Sequence, residues 1–295
     1  MNRVTKIAIG SVVVAFAVLA LKTLAWWMTG SVALLSDAME STVNVVTAIA
    51  AFIAVQIAAR PADSNHPYGH HKAEFFSAVL EGVMIIVAAV LILHEAYKAF
   101  MEPRMLEAPM QGLLVNGAAT VLNGFWAWTL ISQGRRNRSP ALTADGHHVL
   151  TDVWSSLGVA IGVFLAVKTG WPILDPALAA IVALHILYSG WKVMTSSLSG
   201  LMDEALPEDT MQKIRETIAA EATGALEAHD LRTRHAGSAT FIDFHLVAPG
   251  EMTVREAHDI CDRIEAALKA KIGEALITIH VEPEHKAKHR GVLVV

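Results

Sequence analysis

Six long stretches of the chain are apolar with little interruption. They run roughly Ile7–Met28, Ala33–Ala58, Phe75–Phe100, Gly112–Ile131, Val149–Val167 and Pro176–Met194. A helix needs about 20 mostly apolar residues to cross a bilayer core, so each stretch predicts a membrane span. Several are long enough to imply tilt. Short connections rich in Gly, Pro or Arg separate them: Gly30-Ser31, Arg60-Pro61, the Arg135–Pro140 run and Gly170–Pro172. From Ala205 the texture changes. Pro207–Ala222 mixes charge with apolar residues at helical spacing, and Glu208 and Asp209 favour its first turn. Thr240–Val247 reads TFIDFHLV, a near-alternation that predicts a strand. Leu231–His235 and Ala275–Val281 are further strand candidates, and Thr253–Lys271 is an amphipathic helix. Helix, strand, strand, helix, strand suits a small α+β module with its helices on one sheet face. The pattern therefore predicts two domains: an all-α membrane domain of six transmembrane helices, residues 1–203, and a C-terminal α+β domain, residues 204–295.

Loop cations give the orientation. Arg3 and Lys6, then Arg60 and Lys72, then Arg135, Arg136 and Arg138 fall on one side of a six-span topology. Little beyond Arg104 and Lys168 lies on the other, so both termini are expected in the cytoplasm. The first apolar run follows Arg3 and Lys6 as in a signal peptide. It lacks a small-residue cleavage site and is read as a retained span. Lys22, near the far end of that span, is expected to snorkel to the outer interface.

Composition supports a multi-pass membrane protein, in contact with lipid. Of 295 residues 54% are hydrophobic and only 17% charged, against about 25% charged in soluble domains. The net charge of −5 supplies no basic field for nucleic acid. The single cysteine, Cys261, excludes an intrachain disulfide framework.

Against this background the polar residues inside the spans stand out, because an ionisable group in lipid costs roughly 2.5–3.5 kcal/mol on insertion scales. Asp37, Glu40, Ser41 and Asn44 share one face of span two, and Asp145, His148 and Asp152 share one face of span five. Glu40 with Asn44, and His148 with Asp152, are i, i+4 pairs. Together they would form a cage of two carboxylates, one imidazole and one amide oxygen, a donor set suited to zinc and also to iron, cobalt or manganese. Ser41, Asn116 and Asn123 read instead as hydrogen-bonding glue between helices.

Two more clusters lie outside the spans. In RPADSNHPYGHHKAEFF, Asp63, His66 and His70 are spaced three and four apart, and Pro67 and Gly69 make a turn on which the imidazoles can converge. In the tail, His245 and His280 each occupy a strand candidate, with His229 and His258 elsewhere and Glu282 two residues past His280. Several histidines on one small sheet suggest a metal site.

These motifs resemble the cation diffusion facilitators, divalent-metal/proton antiporters, and do so over nearly the whole chain. The resemblance rests on GSVALLSDAMES, RPADSNHPYGHHKAE, ADGHHVLTD, AHDLRTR and ITIHVEP. It implies six spans followed by a cytoplasmic ferredoxin-like domain, in a homodimer. It also implies a transport site of Glu40, Asn44, His148 and Asp152, a loop site of Asp63, His66 and His70, and a binuclear tail site of His229, His245, His280 and Glu282, with His258 as a further position. Lys72 and Asp203 match a charge pair at the dimer's membrane–tail junction. The span-two pair departs from the family pattern, in which zinc carriers place Asp or His, then Asp. Asn44 replaces a carboxylate, and Asp37 could enter the cage in compensation. Glu282 stands where the pattern has Asp.

The sequence therefore points away from an enzyme and towards export of a divalent cation in exchange for protons, by alternating access around the buried cage. Zinc is the favoured cation, as substrate and as tail ligand, with iron, manganese, cobalt and cadmium open. Two other readings compete. A metal sensor with a membrane anchor has no use for ionisable groups inside two spans. A histidine-rich membrane metalloenzyme needs more histidine boxes than the one here, HPYGHH.

Overall fold

The computed structural model describes residues 3–29, 32–101, 110–169, 171, 173–237, 239–273, 275–288 and 292–293. The chain divides into two compact units, residues 1–198 and 199–295.

The first unit consists of α1 (Arg3–Thr29), α2 (Val32–Ala58), α3 (Ala73–Met101), α4 (Met110–Arg136), α5 (Pro140–Thr169) and α6 (Leu174–Leu201), whose last residues run into the second unit. Among the described residues three helical stretches, Arg3–Trp27, Ser41–Ala58 and Ala73–Met101, are long and apolar enough to cross a membrane. Large apolar side chains such as Phe16, Val87, Val121 and Trp128 point outward. Lipid allows that arrangement, because the hydrocarbon around the helices is itself apolar.

Small residues let the helices approach. Ala8 of α1, Ala51 of α2, Ala127 of α4 and Ala141 of α5 are buried in one cluster with Leu130, Leu142 and Val149. A Cβ on Gly146 of α5 would lie 2.9 Å from the Ile131 backbone nitrogen of α4, and one on Gly82 of α3 would lie 2.8 Å from that of Met194 of α6. The six helices match the six apolar stretches, but α5 starts at Pro140, nine residues before the apolar run suggests. Only a short turn separates α4 from α5, with Arg138 at φ 50° and the Ser139 N–H donating back to the Gly134 carbonyl. All of ADGHHVLTD is thus helical, because packing against α4 supports the polar first turns.

The second unit contains α7 (Glu208–Glu221), β1 (Glu227–Ala236), β2 (Ala239–Ala248), α8 (Val254–Ile272), β3 (Ala275–Pro283), a 3-10 turn (Glu284–Lys286) and β4 (Val292–Leu293). The strand order is β3-β2-β1-β4. β1 pairs antiparallel with both β2 and β4, and β2 pairs parallel with β3 through the α8 crossover. The predicted order of helix, strand, strand, helix and strand is present, with β1 and β2 longer than the sequence indicates. Thr253 caps α8 in a capping box with Glu256. That contact, led by the Thr253 backbone N–H, holds the Glu256 carboxyl below its ordinary range.

Side-chain parity organises this unit. Ile242, Phe244 and Leu246 of β2 pack with Ile277 and Ile279 of β3 against Ile214, Ile218, Ile264 and Leu268 of the helices. His245, His280 and Glu282 have the opposite parity and fall on the face away from that core. Cys261 is buried in the core, and burial pushes its thiol up, so it serves as a packing residue rather than a thiolate donor.

Candidate metal centres

Three groups of donors emerge, one within the helical unit, one on the loop after α2 and one on the tail sheet.

In the helical unit, Asn44 of α2 and Asp152 of α5 meet. The Asn44 side-chain amide donates to Asp152 Oδ2, and the two residues are 6% and 2% exposed. His148, one turn earlier on α5, is 3% exposed, and neither ring nitrogen has a hydrogen-bond partner. The Asn44 carbonyl oxygen Oδ1 also lacks one. An oxygen and two nitrogens without partners in a water-poor interior are costly unless something binds them. The side chains of Asp37 and Glu40 lie outside the described residues.

Lys22 of α1 corrects the sequence reading. It does not reach an interface. It is 1% exposed, and its Nζ lies 3.6 Å from Asp152 Oδ2. A buried ammonium needs a carboxylate partner, and Asp152 of α5 supplies it.

The stripe continues along α5. Asp145 is buried, and its Oδ2 accepts a hydrogen bond from the Ser11 hydroxyl. A cavity lined in part by Ser11, Asn44, Asn123 and Asp145 connects this carboxylate with Asn44. Glu81 of α3 is fully buried, with neither carboxylate oxygen hydrogen-bonded. Glu81 lies inside the predicted span Phe75–Phe100, where an ionisable group is conspicuous, and sequence reasoning passed over it.

On the loop, Asp63 Oδ1 accepts from the backbone N–H groups of Asn65 (2.9 Å) and His66 (2.7 Å), an Asx turn. His66 Nδ1 lies 3.2 Å from Asp63 Oδ1, and His70 Nε2 lies 3.4 Å from Asp63 Oδ2. The His66 N–H holds the Asp63 carboxyl below its ordinary range, so it remains a charged acceptor. Gly69, at φ 82°, provides the reversal that sequence reading assigned to it. The three donors lie close enough to share one ion.

On the tail sheet the strand register does the assembly. His229 of β1 is paired with His245 of β2, and His245 with His280 of β3. The rings form a row, with centroids 5.3 Å and 5.0 Å apart. The Glu282 carboxylate lies 3.3 Å from His229 Nε2, 3.3 Å from His245 Nδ1 and 3.8 Å from His280 Nε2. His258 is placed apart from them on α8, exposed, with Asp262 at 3.7 Å. Two residues join that sequence reasoning missed. Asp230 sits at φ 53° where the β1–β2 register shifts, close enough to share an ion with His229 and His245. Lys288, 2.5 Å from Asp230, holds that carboxyl below its ordinary range. Buried Glu227 lies 3.4 Å from His229 Nδ1, on the ring edge away from Glu282. A carboxylate behind one ring nitrogen fixes the tautomer and leaves the other for a metal. Sequence reasoning missed it because the strand was expected only from Leu231, whereas β1 begins at Glu227 and residues two apart share a face.

Asp203, expected to pair with Lys72, lies in the second unit and is 3.1 Å from Arg234. Lys72 belongs to the first unit.

A buried carboxylate, amide and imidazole within a helical unit, followed by a histidine-lined sheet, define a membrane protein that handles cations. Comparison with known proteins gives the family. Residues 8–202 match the cation efflux transmembrane domain, and residues 206–284 match the cation efflux protein cytoplasmic domain. The chain belongs to the cation diffusion facilitator family of cation-efflux transporters. It is 45% identical to the uncharacterized transporter sll1263 of Synechocystis over 94% of this chain and 89% of that one. It is 31% identical to the cation-efflux pump FieF of Escherichia fergusonii over 95% of this chain and 93% of that one. A solved structure of CzrB in a Zn form is 46% identical over 29% of this chain and 98% of that chain, with a TM-score of 0.28. Relatives with these names are transporters rather than enzymes.

Proposed function

We propose that this protein exports a divalent cation, zinc foremost, from the cytoplasm in exchange for protons. One observation carries the reading. Asn44 and Asp152, on different helices, meet inside the helical unit beside a His148 whose ring nitrogens have no hydrogen-bond partner. Glu40 completes the proposed cage on α2, with Asp37 as an alternative donor. Nitrogen and oxygen donors in this number suit zinc, and also iron, manganese, cobalt or cadmium.

Proton exchange follows from the chemistry of the donors. A carboxylate and an imidazole bind metal only when deprotonated, so cation and protons compete for the same atoms. The protons belong to the cluster rather than to one residue. Alternating access rocks the helices around a site near mid-membrane. Gly158, where a Cβ would come within 3.0 Å of Val182, marks one close helix contact that must persist through that motion.

We further propose six spans with both termini in the cytoplasm of a bacterial cell, as the loop cations require. The domain boundary is taken at residues 203 and 204, where the texture of the sequence changes. The tail is read as ferredoxin-like, lacking the leading strand of the full β-α-β-β-α-β order. The homodimer is held in part by Lys72 and Asp203. The loop ligands are Asp63, His66 and His70. The tail ligands are His229, His245, His280 and Glu282, with His258 serving a second ion.

The test is flux. Purified protein in liposomes with trapped metal and pH dyes should move zinc against protons, and Asp152→Asn should abolish both signals. A chain that binds zinc tightly and moves neither zinc nor protons is a sensor, and the proposal fails.

A further inference from the structure

Buried ammonium groups in lipid-embedded helices are rare and tend to be functional. Lys22 is one. It lies on α1, a helix that carries none of the proposed ligands, and is among the most completely buried large side chains of the chain. Its Nζ lies 3.6 Å from Asp152 Oδ2, the same oxygen that accepts the Asn44 amide hydrogen. One carboxylate oxygen therefore faces a tethered cation and a neighbouring amide donor.

We infer that the Lys22 ammonium is a built-in competitor for the transported cation, and that it sets both the affinity and the charge selectivity of the site. The inference rests on Asp152 belonging to the transport site. A zinc–carboxylate bond is about 2.0–2.2 Å long. An ammonium 3.6 Å from the same oxygen is then a close like charge, and the two cations repel strongly in a poorly solvated interior. The dication must displace the ammonium in order to bind, and the four-carbon stem of lysine is long and mobile enough to allow it. When the metal leaves, the ammonium returns, so Asp152 never stands as a bare buried charge.

Two consequences follow. Metal is held less tightly than the ligands alone would hold it, which favours release. A monovalent ion, with no more charge than the ammonium it must displace, gains no advantage and is turned away.

Lys22→Gln keeps an N–H donor near Asp152 and removes the charge. Its expected effect in liposomes is a fall of about tenfold or more in the KM for zinc, each decade corresponding to about 1.4 kcal/mol. Maximal flux should fall as well, because release becomes slow. Potassium or sodium at physiological concentration should inhibit Lys22→Gln and not the wild type. Lys22→Arg keeps the charge and should retain the wild-type KM more nearly than Lys22→Gln does. An unchanged or raised KM in Lys22→Gln, with folding verified by an unaltered elution profile, overturns the inference. If Lys22→Gln does not fold, a KM in Lys22→Arg lowered as far as tenfold overturns it instead. Failure of the transport reading is separable, since there the wild type itself moves no metal.

Discussion

Glu282 offers a quantitative test of the tail centre. Its carboxylate lies within 3.3–3.8 Å of three imidazoles, and it is 16% exposed, so solvent screens it little. Structural zinc sites with four donors bind with roughly 10–16 kcal/mol at neutral pH. Divided among the donors, that is about 3 kcal/mol each, or about a hundredfold in Kd. Glu282→Gln should weaken zinc binding by at least about that factor, since the amide keeps the shape and loses the charge. The measurement is a competition titration against a chromophoric chelator on the full chain in detergent. Asp63→Ala and Asp152→Asn in the background confine tight binding to the tail. Glu284→Gln, two residues on and outside the histidine row, is the control. An unchanged Kd in Glu282→Gln, or an equal loss in Glu284→Gln, would refute the assignment of this carboxylate as the hub of the site.

Two further outcomes are expected. Glu227→Gln should cost roughly 10–100-fold in tail zinc affinity, because Glu227 orients His229 without itself reaching the ion, and the same titration reads it. Asp230 has its pKa depressed by Lys288, so the pair stabilises the tail above the ordinary aspartate value of about 3.9 and loses that contribution as pH falls through the lowered folded value. Lys288→Met should move the Asp230 carboxyl resonance titration upward toward the ordinary value, and an unmoved midpoint would show that Lys288 is not its cause.

Much of this protein was legible before its fold was known, for identifiable reasons. A helix in lipid must be apolar along some 20 residues, so each span announces itself, and any polar residue within it is conspicuous. Asn44, His148 and Asp152 were found that way, and Asp63, His66 and His70 were found because a Pro–Gly turn keeps their contacts local. The near-alternation of Thr240–Val247 likewise announced β2. The helix start at Pro140 was missed because the reading followed hydropathy, which is weak there, although Ser139 before Pro140 is a favoured helix start and its hydroxyl accepts the Leu142 N–H.

What local sequence determined is which residues are polar where polarity is costly, and which face of each element they occupy. It could not determine which faces meet. The row His229–His245–His280 exists because β1, β2 and β3 pair in one register, and a shift of one residue would turn each histidine to the other face. Asp230 meets His245 across 15 residues of chain, and Lys22 meets Asp152 across 130. No periodicity encodes such contacts, because they depend on how whole elements pack, and packing is set by the shapes of all the surfaces at once.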